Sequence, residues 1–334
     1  MHNISHAFAP LLHTQHIMEA KTTESDAETV VYSQEWVSSL PKDKGIVGDY
    51  TYQYQGYWHT PLGLQGMIDC QQHFRPREND VFLVTAPKSG TTWMKAILYA
   101  IVHRQKHHPQ DAQHPLRQKT PHQLVPFFEI TKPSEYESLF LDGTCRIFGC
   151  HFPIGFEELE DAVKVDEILA DKKSLSYLVA FYQTIEANLM WASSSWACGP
   201  TSITEEDGGS TNIKIVYLCR DIKDSFVSLF HFSNKANLRS SPVSLEEAFH
   251  LFCKGTSTGG PIWDQILGYW KESLERPNKV LFMRYEELKS EPHAQVTRLA
   301  QFLGRPFSPE EENMEMVDQI TSLCSFGNMS KTAG

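Results

Sequence analysis

The feature of the sequence that most constrains its fold is an apolar run at 81–84, which a short loop joins to a helical stretch at 91–103. An uninterrupted apolar run of this length is typical of a strand buried on both faces of a parallel sheet. A second run at 213–219 leads into helical apolar spacing at 224–232, and a third run follows at 279–283. Buried strands that alternate with helices predict an α/β fold, a central parallel sheet flanked by helices, with ligands bound at the carboxyl ends of the strands.

The rest of the chain adds helices rather than a second core. No internal repeat, low-complexity tract or Pro/Gly-rich linker divides it, so we predict a single domain at 36–334. Residues 1–35 are largely polar and have no sustained period, which predicts a disordered leader. Further helices are predicted at 245–254, 262–273, 295–303 and 310–320.

Charge and cysteine content exclude several classes of protein. The 334 residues carry 41 acidic and 30 basic side chains, a net charge of −11, which argues against a surface that wraps nucleic acid. The longest apolar run, 96–102, is far shorter than the roughly 20 residues of a membrane helix. The seven cysteines include no C-x-x-C pair, and the N-terminus lacks the features of a secretory signal. We therefore predict a cytoplasmic protein with reduced thiols and no nucleic-acid or membrane partner.

The strongest local signal is the loop T-A-P-K-S-G-T-T-W at 85–93, between the first predicted strand and its helix. The N–H groups at the start of a helix bind anions, Gly90 lets the backbone approach a ligand, and Lys88 supplies a positive charge. The loop does not match G-x-x-x-x-G-K-[ST], because its lysine precedes the glycine. The residue types alone leave two interpretations open, a phosphate-binding loop and a turn with an ordinary helix cap.

With Trp93 included, P-K-S-G-T-T-W after an apolar strand resembles the 5′-phosphosulfate loop of the cytosolic sulfotransferases, which use 3′-phosphoadenosine 5′-phosphosulfate (PAPS). The segment Y-L-C-R-D-I-K-D-S-F-V-S at 217–228 resembles the family's 3′-phosphate segment. The stretches S-L-P-K, Y-Q-Y-Q-G-Y-W and Q-Q-H-F are similar to the plant branch of the family. The resemblance spans 36–155 and 212–328, and it implies the P-loop-like sulfotransferase fold. Further matches lie at 260–273, 280–289 and 323–326.

The resemblance implies a role for each matching residue of the nucleotide site. Lys88 would move its charge toward the leaving phosphate oxygen, so it is also expected to act in the transition state. Arg220 would hold the 3′-phosphate in its planar fork, with help from the Ser228 hydroxyl. The expected 5′-phosphosulfate ligands are Lys88, Ser89, Gly90, Thr91 and Thr92, the aromatic pair around adenine is Trp93 and Phe326, and further nucleotide contacts are Tyr285 and Cys324.

The expected catalytic base is His151, in G-C-H-F-P. The attacking hydroxyl must lose its proton, and an imidazole titrates near neutral pH. The family places its base in a T-H-x-P context, and here Cys150 stands in place of the threonine. The mechanism implied by the family needs no metal, and the clustered histidines elsewhere lack metal-ligand spacing, so we predict that they belong to a solvated helix end and loop. These are His103, His107, His108, His114 and His122.

The function that the resemblance implies is transfer of the sulfonate group from PAPS to a hydroxyl of a small acceptor. The acceptor would be a phenol, flavonoid, steroid or similar compound of plant secondary metabolism. A nucleotide kinase-like activity is disfavoured, because it needs a Walker lysine and Mg²⁺-binding carboxylates near the loop. Aromatic residues that could either line the acceptor pocket or belong to the core are Tyr54, Trp58, Phe127, Phe128 and Trp270.

Two departures from the family bear on activity. His151 and Arg220 are separated by an unusual insertion at about 155–212, which either forms a lid over the acceptor pocket or has no catalytic use. The second interpretation is favoured, because the insertion contains no site motif. The chain stops at Gly334, before the family's R-K-G-x-x-G-D-W segment, which completes the 3′-phosphate site. The alternative function is therefore a catalytically impaired protein of the same fold with a truncated C-terminus.

Overall fold

The computed structural model describes residues 34–75, 77–140, 145–152 and 213–329. The insertion predicted at 155–212 lies outside these residues, as do all but the last two residues of the predicted leader. The organisation predicted for both segments, and with it the single-domain prediction, therefore stays a prediction.

Seven strands in the described residues form two sheets. They are β1 (Lys42–Lys44), β2 (Tyr50–Tyr54), β3 (Tyr57–His59), β4 (Val81–Thr85), β5 (Ile147–Cys150), β6 (Lys214–Cys219) and β7 (Val280–Arg284). The first three pair antiparallel, and the last four pair in parallel in the order β5-β4-β6-β7. Every residue of β4 and β5 is buried, as expected for strands of a parallel sheet covered on both faces. The predicted α/β fold with a central parallel sheet is confirmed.

The order of the parallel strands opens a crevice at the carboxyl ends of β4 and β6. From β4 the chain crosses to β5 at one edge of the sheet, whereas from β6 it crosses to β7 at the other edge. Neighbouring strands whose connections leave in opposite directions open a crevice outside their carboxyl ends, where α/β proteins bind ligands. The loop at 85–92 follows β4, and Arg220 follows β6. Both of the predicted anion-binding segments therefore lie at this crevice.

The helices surround the parallel sheet, and the helix Thr91–His103 is buried from residue 94 to residue 102. Its burial explains why its sequence is apolar on nearly every side. The helix predicted at 310–320 is instead two helices, interrupted near Glu315, whose φ of 54° is left-handed. In the described part of the chain, no helix is long and apolar enough to cross a membrane. The α-helices of the described residues are Gln34–Ser39, Pro61–His73, Thr91–His103, Pro121–Leu124, Tyr136–Leu139, Ile222–Lys235, Leu245–Cys253, Ile262–Glu275, Tyr285–Ser290, Pro292–Phe302, Pro309–Asn313, Met316–Leu323 and Phe326–Met329.

Sequence reasoning missed the strand β5, the helix Pro61–His73 and the small antiparallel sheet. Its strands are three to five residues long and rich in polar residues, so they carry no clear period. Long-range hydrogen bonds hold it: the Trp58 N–H donates to the Gly260 carbonyl at 2.9 Å, and the Gly259 N–H donates to the Trp58 carbonyl at 2.8 Å. Val47, between β1 and β2, and Thr60, directly after β3, line the cavity at the carboxyl ends of β4 and β6.

Candidate active site

A cavity of about 310 Å³ opens at the carboxyl ends of β4 and β6. Of the predicted site residues, it brings together His151, Lys88, Gly90, Thr91, Thr92, Trp93, Arg220, Ser228, Tyr285 and Phe326. Ser89 belongs to the same loop but is buried, with its Oγ 3.3 Å from Ser225 Oγ. Cys324 is fully buried in the hydrophobic core and is not among the residues that line the cavity.

Two residues with left-handed backbones give the loop after β4 its shape. Gly90 has a φ of 101°, and a Cβ added to it would lie 2.7 Å from Cδ2 of Tyr285. Only glycine satisfies both the conformation and this close approach. Lys88 has a φ of 70°, and Arg220 Nη1 holds it by donating to the Lys88 carbonyl at 3.1 Å. A non-glycine residue held in this conformation is typical of a functional loop.

The threonine hydroxyls of the loop are held by their neighbours. Thr91 Oγ1 lies 2.6 Å from Thr85 Oγ1, and Thr92 Oγ1 lies 3.1 Å from Nε2 of His122. The helix Thr91–His103 begins at this point. The N–H groups of a first helical turn have no partners within the helix, and the positive end of the helix dipole adds to their attraction for an anion. The loop is therefore a candidate anion site, and its hydroxyls are already oriented.

Two cations share the polar part of the cavity. The Lys88 Nζ lies 4.4 Å from the centroid of the Phe232 ring. The Arg220 guanidinium lies 4.9 Å from the centroid of the Tyr285 ring and 3.2 Å from the exposed carboxylate of Asp224. Burial, and then the charge of Arg220, lower the pKa of Lys88. A bound anion would relieve the repulsion between the two cations and raise the pKa of Lys88 again.

Three aromatic rings form a cluster at the edge of the cavity. The Trp93 ring centroid lies 5.6 Å from that of Tyr285 and 5.8 Å from that of Phe326. Phe326 is 62% exposed, which is unusual for a phenylalanine. The two residues expected to enclose adenine are therefore neighbours.

His151 follows β5, and hydrogen bonds orient its ring. Its Nδ1 lies 2.9 Å from the carbonyl oxygen of Thr85. Because a carbonyl oxygen only accepts, Nδ1 carries the proton and Nε2 has a free lone pair. Burial lowers the pKa of His151 to about 4, the hydrogen bond to Thr85 opposes this shift, and the charges of Lys95 and Lys88 add to it. The ring is therefore a neutral imidazole, the form that a general base requires.

The main chain of His151 is fixed as well. Its N–H donates to Glu129 Oε1 at 3.0 Å, and its carbonyl accepts a hydrogen bond from Gln265 Nε2 at 3.1 Å. Sequence reasoning missed Glu129, although an acidic residue inside the apolar run F-F-E-I is itself a signal of a buried charge. The Phe127 ring contacts the His151 ring with 4.9 Å between centroids.

The apolar part of the cavity wall is suited to an apolar small molecule. It includes Leu62, Phe127, Ile130, Phe152, Leu229 and Phe232. Of the five aromatic residues considered from the sequence, only Phe127 lines this cavity. The other four, Tyr54, Trp58, Phe128 and Trp270, pack elsewhere in the described structure.

The prediction that the clustered histidines are solvated is wrong for two of them. His114 is fully buried, and His122 lines the cavity and stacks on Phe127 with 5.1 Å between ring centroids. Spacing along the sequence could not show that a loop folds back over the helix Thr91–His103. Within the described ranges, no three His, Cys, Asp or Glu side chains are grouped so that they could hold a metal ion. The six cysteines in those ranges are unpaired.

A family model described as the sulfotransferase domain matches residues 78–333. The chain belongs to the sulfotransferase family. It is 36% identical over 307 residues to cytosolic sulfotransferase 13 of Arabidopsis thaliana, covering 92% of this chain and 79% of that protein. The family resemblance inferred from the sequence is therefore confirmed.

Solved structures agree with the family assignment. The crystal structure of an Arabidopsis thaliana sulphotransferase is 34% identical, has a TM-score of 0.62, and covers 94% of this chain and 91% of its own. A mouse sulfotransferase solved in complex with 3′-phosphoadenosine 5′-phosphate (PAP) is 22% identical and has a TM-score of 0.53. The match covers 84% of this chain and 76% of the mouse chain. The mouse protein shows likeness of fold alone. Together with the parallel sheet, these structures establish the sulfotransferase fold.

Proposed function

We propose that this sulfotransferase transfers the sulfonate group of PAPS to a hydroxyl of a small, largely apolar acceptor such as a phenol, flavonoid or steroid. The observation that carries the proposal is that the cationic loop and His151, whose Nδ1 donates to the Thr85 carbonyl, line one cavity. A sulfonate donor on the loop and a hydroxyl beside His151 would be held as neighbours. Holding two reactants in this way supplies much of the rate enhancement of a group transfer.

The nucleotide would occupy the polar part of the cavity. We assign the 5′-phosphosulfate to the loop residues Lys88, Ser89, Gly90, Thr91 and Thr92. Arg220 and Ser228 would bind the 3′-phosphate, and Trp93 and Phe326 would enclose the adenine, with Tyr285 beside them. Cys324 would support this segment by packing, because its side chain is fully buried. The excess positive charge around Lys88 and Arg220 supports a ligand with several phosphate groups.

In the proposed reaction, Nε2 of His151 takes the proton of the acceptor hydroxyl while the hydroxyl oxygen forms a bond to sulfur. The bond between sulfur and the bridging phosphate oxygen breaks, and its electron pair remains on that oxygen. Lys88 neutralises the charge that develops there. The products are the sulfonated acceptor, 3′-phosphoadenosine 5′-phosphate (PAP) and a proton, which His151 then releases to solvent.

We further propose that the protein acts in the cytoplasm on a compound of plant secondary metabolism. Support comes from its relatives, which are named cytosolic sulfotransferases of Arabidopsis thaliana. The proposed partner is a small molecule, because the chain as a whole is acidic and a polyanionic macromolecule would be repelled by most of its surface.

The proposal is tested first by calorimetric titration of the purified chain with PAP, which requires no knowledge of the acceptor. Micromolar binding is expected, followed by turnover of PAPS with at least one member of a panel of phenols, flavonoids and hydroxysteroids. The alternative function is a catalytically impaired protein of this fold. It predicts no PAP binding by a chain whose circular dichroism spectrum shows that it is folded.

A further inference from the structure

A buried pair of opposite charges lies next to the proposed base and has no role in the reaction described above. Lys95, in the helix Thr91–His103, is 0% exposed, and Glu129 is 2% exposed. Lysine and glutamate are almost never buried to this extent unless they are paired. Burial lowers the pKa of Lys95 and raises the pKa of Glu129, and in each case the charge of the other residue opposes the shift. The two side chains lie in one buried region, because Lys95 packs on the Phe127 ring and Glu129 bonds the main chain of His151, whose ring contacts Phe127. They influence one another by charge and not through a direct hydrogen bond.

The position of Lys95 is closely defined. Its Nζ donates to the Val125 carbonyl at 2.9 Å and lies 3.2 Å from the centroid of the Phe127 ring. Gly149, two residues before His151, leaves the space that the lysine fills, because a Cβ at residue 149 would collide with Cε of Lys95. The ammonium group is thus fixed against the strand that leads to the base.

Glu129 uses its two oxygens unequally. Oε1 accepts the His151 N–H at 3.0 Å, whereas Oε2 is buried and has no hydrogen-bond partner among the described residues. Burying a carboxylate oxygen without a partner is costly. The charge of Lys95 offsets part of this cost, and the carboxylate in return supplies a charge-assisted hydrogen bond, which is stronger than a neutral one. That bond is made to the main chain of the residue whose ring must be aligned with the acceptor.

We propose that Lys95 and Glu129 position the catalytic base: Lys95 maintains the negative charge of Glu129, and Glu129 fixes the main chain of His151 beside the acceptor. This inference rests on the proposed function, in which His151 accepts the proton. Neither residue touches the reacting atoms, so both are positioning residues. A pair with a purely structural role would affect stability and leave the chemical step of the folded protein unchanged.

Two double variants separate these possibilities. Lys95→Met with Glu129→Leu removes both charges and the acceptor of the His151 N–H. Lys95→Met with Glu129→Gln removes both charges but keeps an oxygen that can accept this hydrogen bond. Replacing both members of a buried charge pair with residues of similar volume is often neutral for stability, whereas removing one member is not. The two double variants are therefore matched in charge and differ in the hydrogen bond to the base.

The measurements are kcat and KM with a naphthol acceptor, PAP affinity by calorimetry, and hydrogen exchange of the His151 amide. The Leu-containing double variant is expected to have a kcat at least tenfold below that of the Gln-containing one, which corresponds to the loss of one hydrogen bond. PAP affinity should remain within threefold in both variants, and the His151 amide should exchange faster only in the Leu-containing variant.

Equal kcat and equal amide exchange in the two double variants would overturn the inference while leaving the proposed function intact. A wild-type chain that neither binds PAP nor turns over any acceptor would overturn both. The single Lys95→Met variant tests the lysine separately, in case a double variant does not fold. It keeps the Glu129 oxygen but lets the carboxyl take up a proton, so kcat should fall severalfold at unchanged PAP affinity, and an unchanged kcat contradicts the role of Lys95.

Discussion

Replacing Arg220 should separate the two contributions that this residue makes to the nucleotide site. In the structure its Nη1 donates to the Lys88 carbonyl at 3.1 Å and its Nη2 donates to Asp224 Oδ2 at 3.2 Å, and its guanidinium is proposed to bind the 3′-phosphate. Each charge-assisted hydrogen bond contributes about 1.5–3 kcal/mol. Loss of the phosphate contact alone in Arg220→Ala should therefore weaken PAP binding by roughly 10- to 100-fold. If the loop around Lys88 also relaxes, the loss should reach roughly 10²- to 10⁴-fold.

Arg220→Lys provides an intermediate point, because it keeps the charge but cannot reach the Lys88 carbonyl and the phosphate with one planar group. We expect its PAP affinity to lie between those of the wild type and Arg220→Ala. The matched control is Arg276→Ala, which removes an arginine that is 40% exposed and paired with Glu272 outside the cavity. Calorimetry with PAP at fixed ionic strength measures all four proteins. Binding by Arg220→Ala within threefold of the wild type would refute the assignment.

Three further predictions concern the base, the loop and the core. His151→Ala should lower kcat by roughly 10²- to 10⁴-fold and leave PAP affinity nearly unchanged. Steady-state kinetics measures the first and calorimetry the second, and equal losses of kcat and of PAP affinity would contradict the role of His151 as the base. Gly90→Ala places a Cβ 2.7 Å from the Tyr285 ring at a left-handed φ. This substitution should lower the free energy of unfolding in urea by about 1–2 kcal/mol and weaken PAP binding. Urea unfolding and PAP titration curves equal to those of the wild type would show that the loop accommodates the Cβ. Arg104→Met breaks the ion pair in which Arg104 Nε lies 2.7 Å from Glu311 Oε1. The free energy of unfolding should therefore fall by about 3 kcal/mol, with PAP affinity unchanged. An unaltered melting curve would exclude a contribution of this ion pair to stability.

The parallel sheet was predictable, because a strand that is buried on both faces is an uninterrupted run of apolar residues. The strands β4, β6 and β7 are short apolar runs, and each is followed by a helix. The antiparallel strands at 42–59 were not predicted, because they are only three to five residues long and rich in polar residues, so they show no clear period. The interruption of the helix predicted at 310–320 was not predictable, because the left-handed residue at the break, Glu315, is a glutamate, which carries no turn signal of its own.

The nucleotide residues were accessible to sequence reasoning for a different reason. Lys88 to Trp93 and Arg220 to Ser228 each lie within a single strand-loop-helix unit, so local spacing already places them at one edge of the sheet. Glu129 and His122 reach the cavity from a segment that pairs with the strand at residue 149 through an isolated bridge at Phe127. No local pattern encodes that pairing. What the sequence did contain was a lysine inside the apolar stretch M-K-A-I-L and a glutamate inside F-F-E-I. Charged side chains at such positions need partners, because lysine and glutamate are almost never buried without them.

The helix Thr91–His103 links the two halves of the proposed reaction. Its first-turn N–H groups are the proposed anion site, and the charge of Lys95, one turn further along, acts on the carboxylate that holds His151. A helical turn is a rigid spacer, with a rise of about 1.5 Å per residue. One rigid helix therefore carries both the proposed anion-binding N–H groups and the lysine that packs against the strand before His151. A disturbance that tilts this helix should impair nucleotide binding and proton abstraction together, whereas removing the charged pair alone should impair only the second.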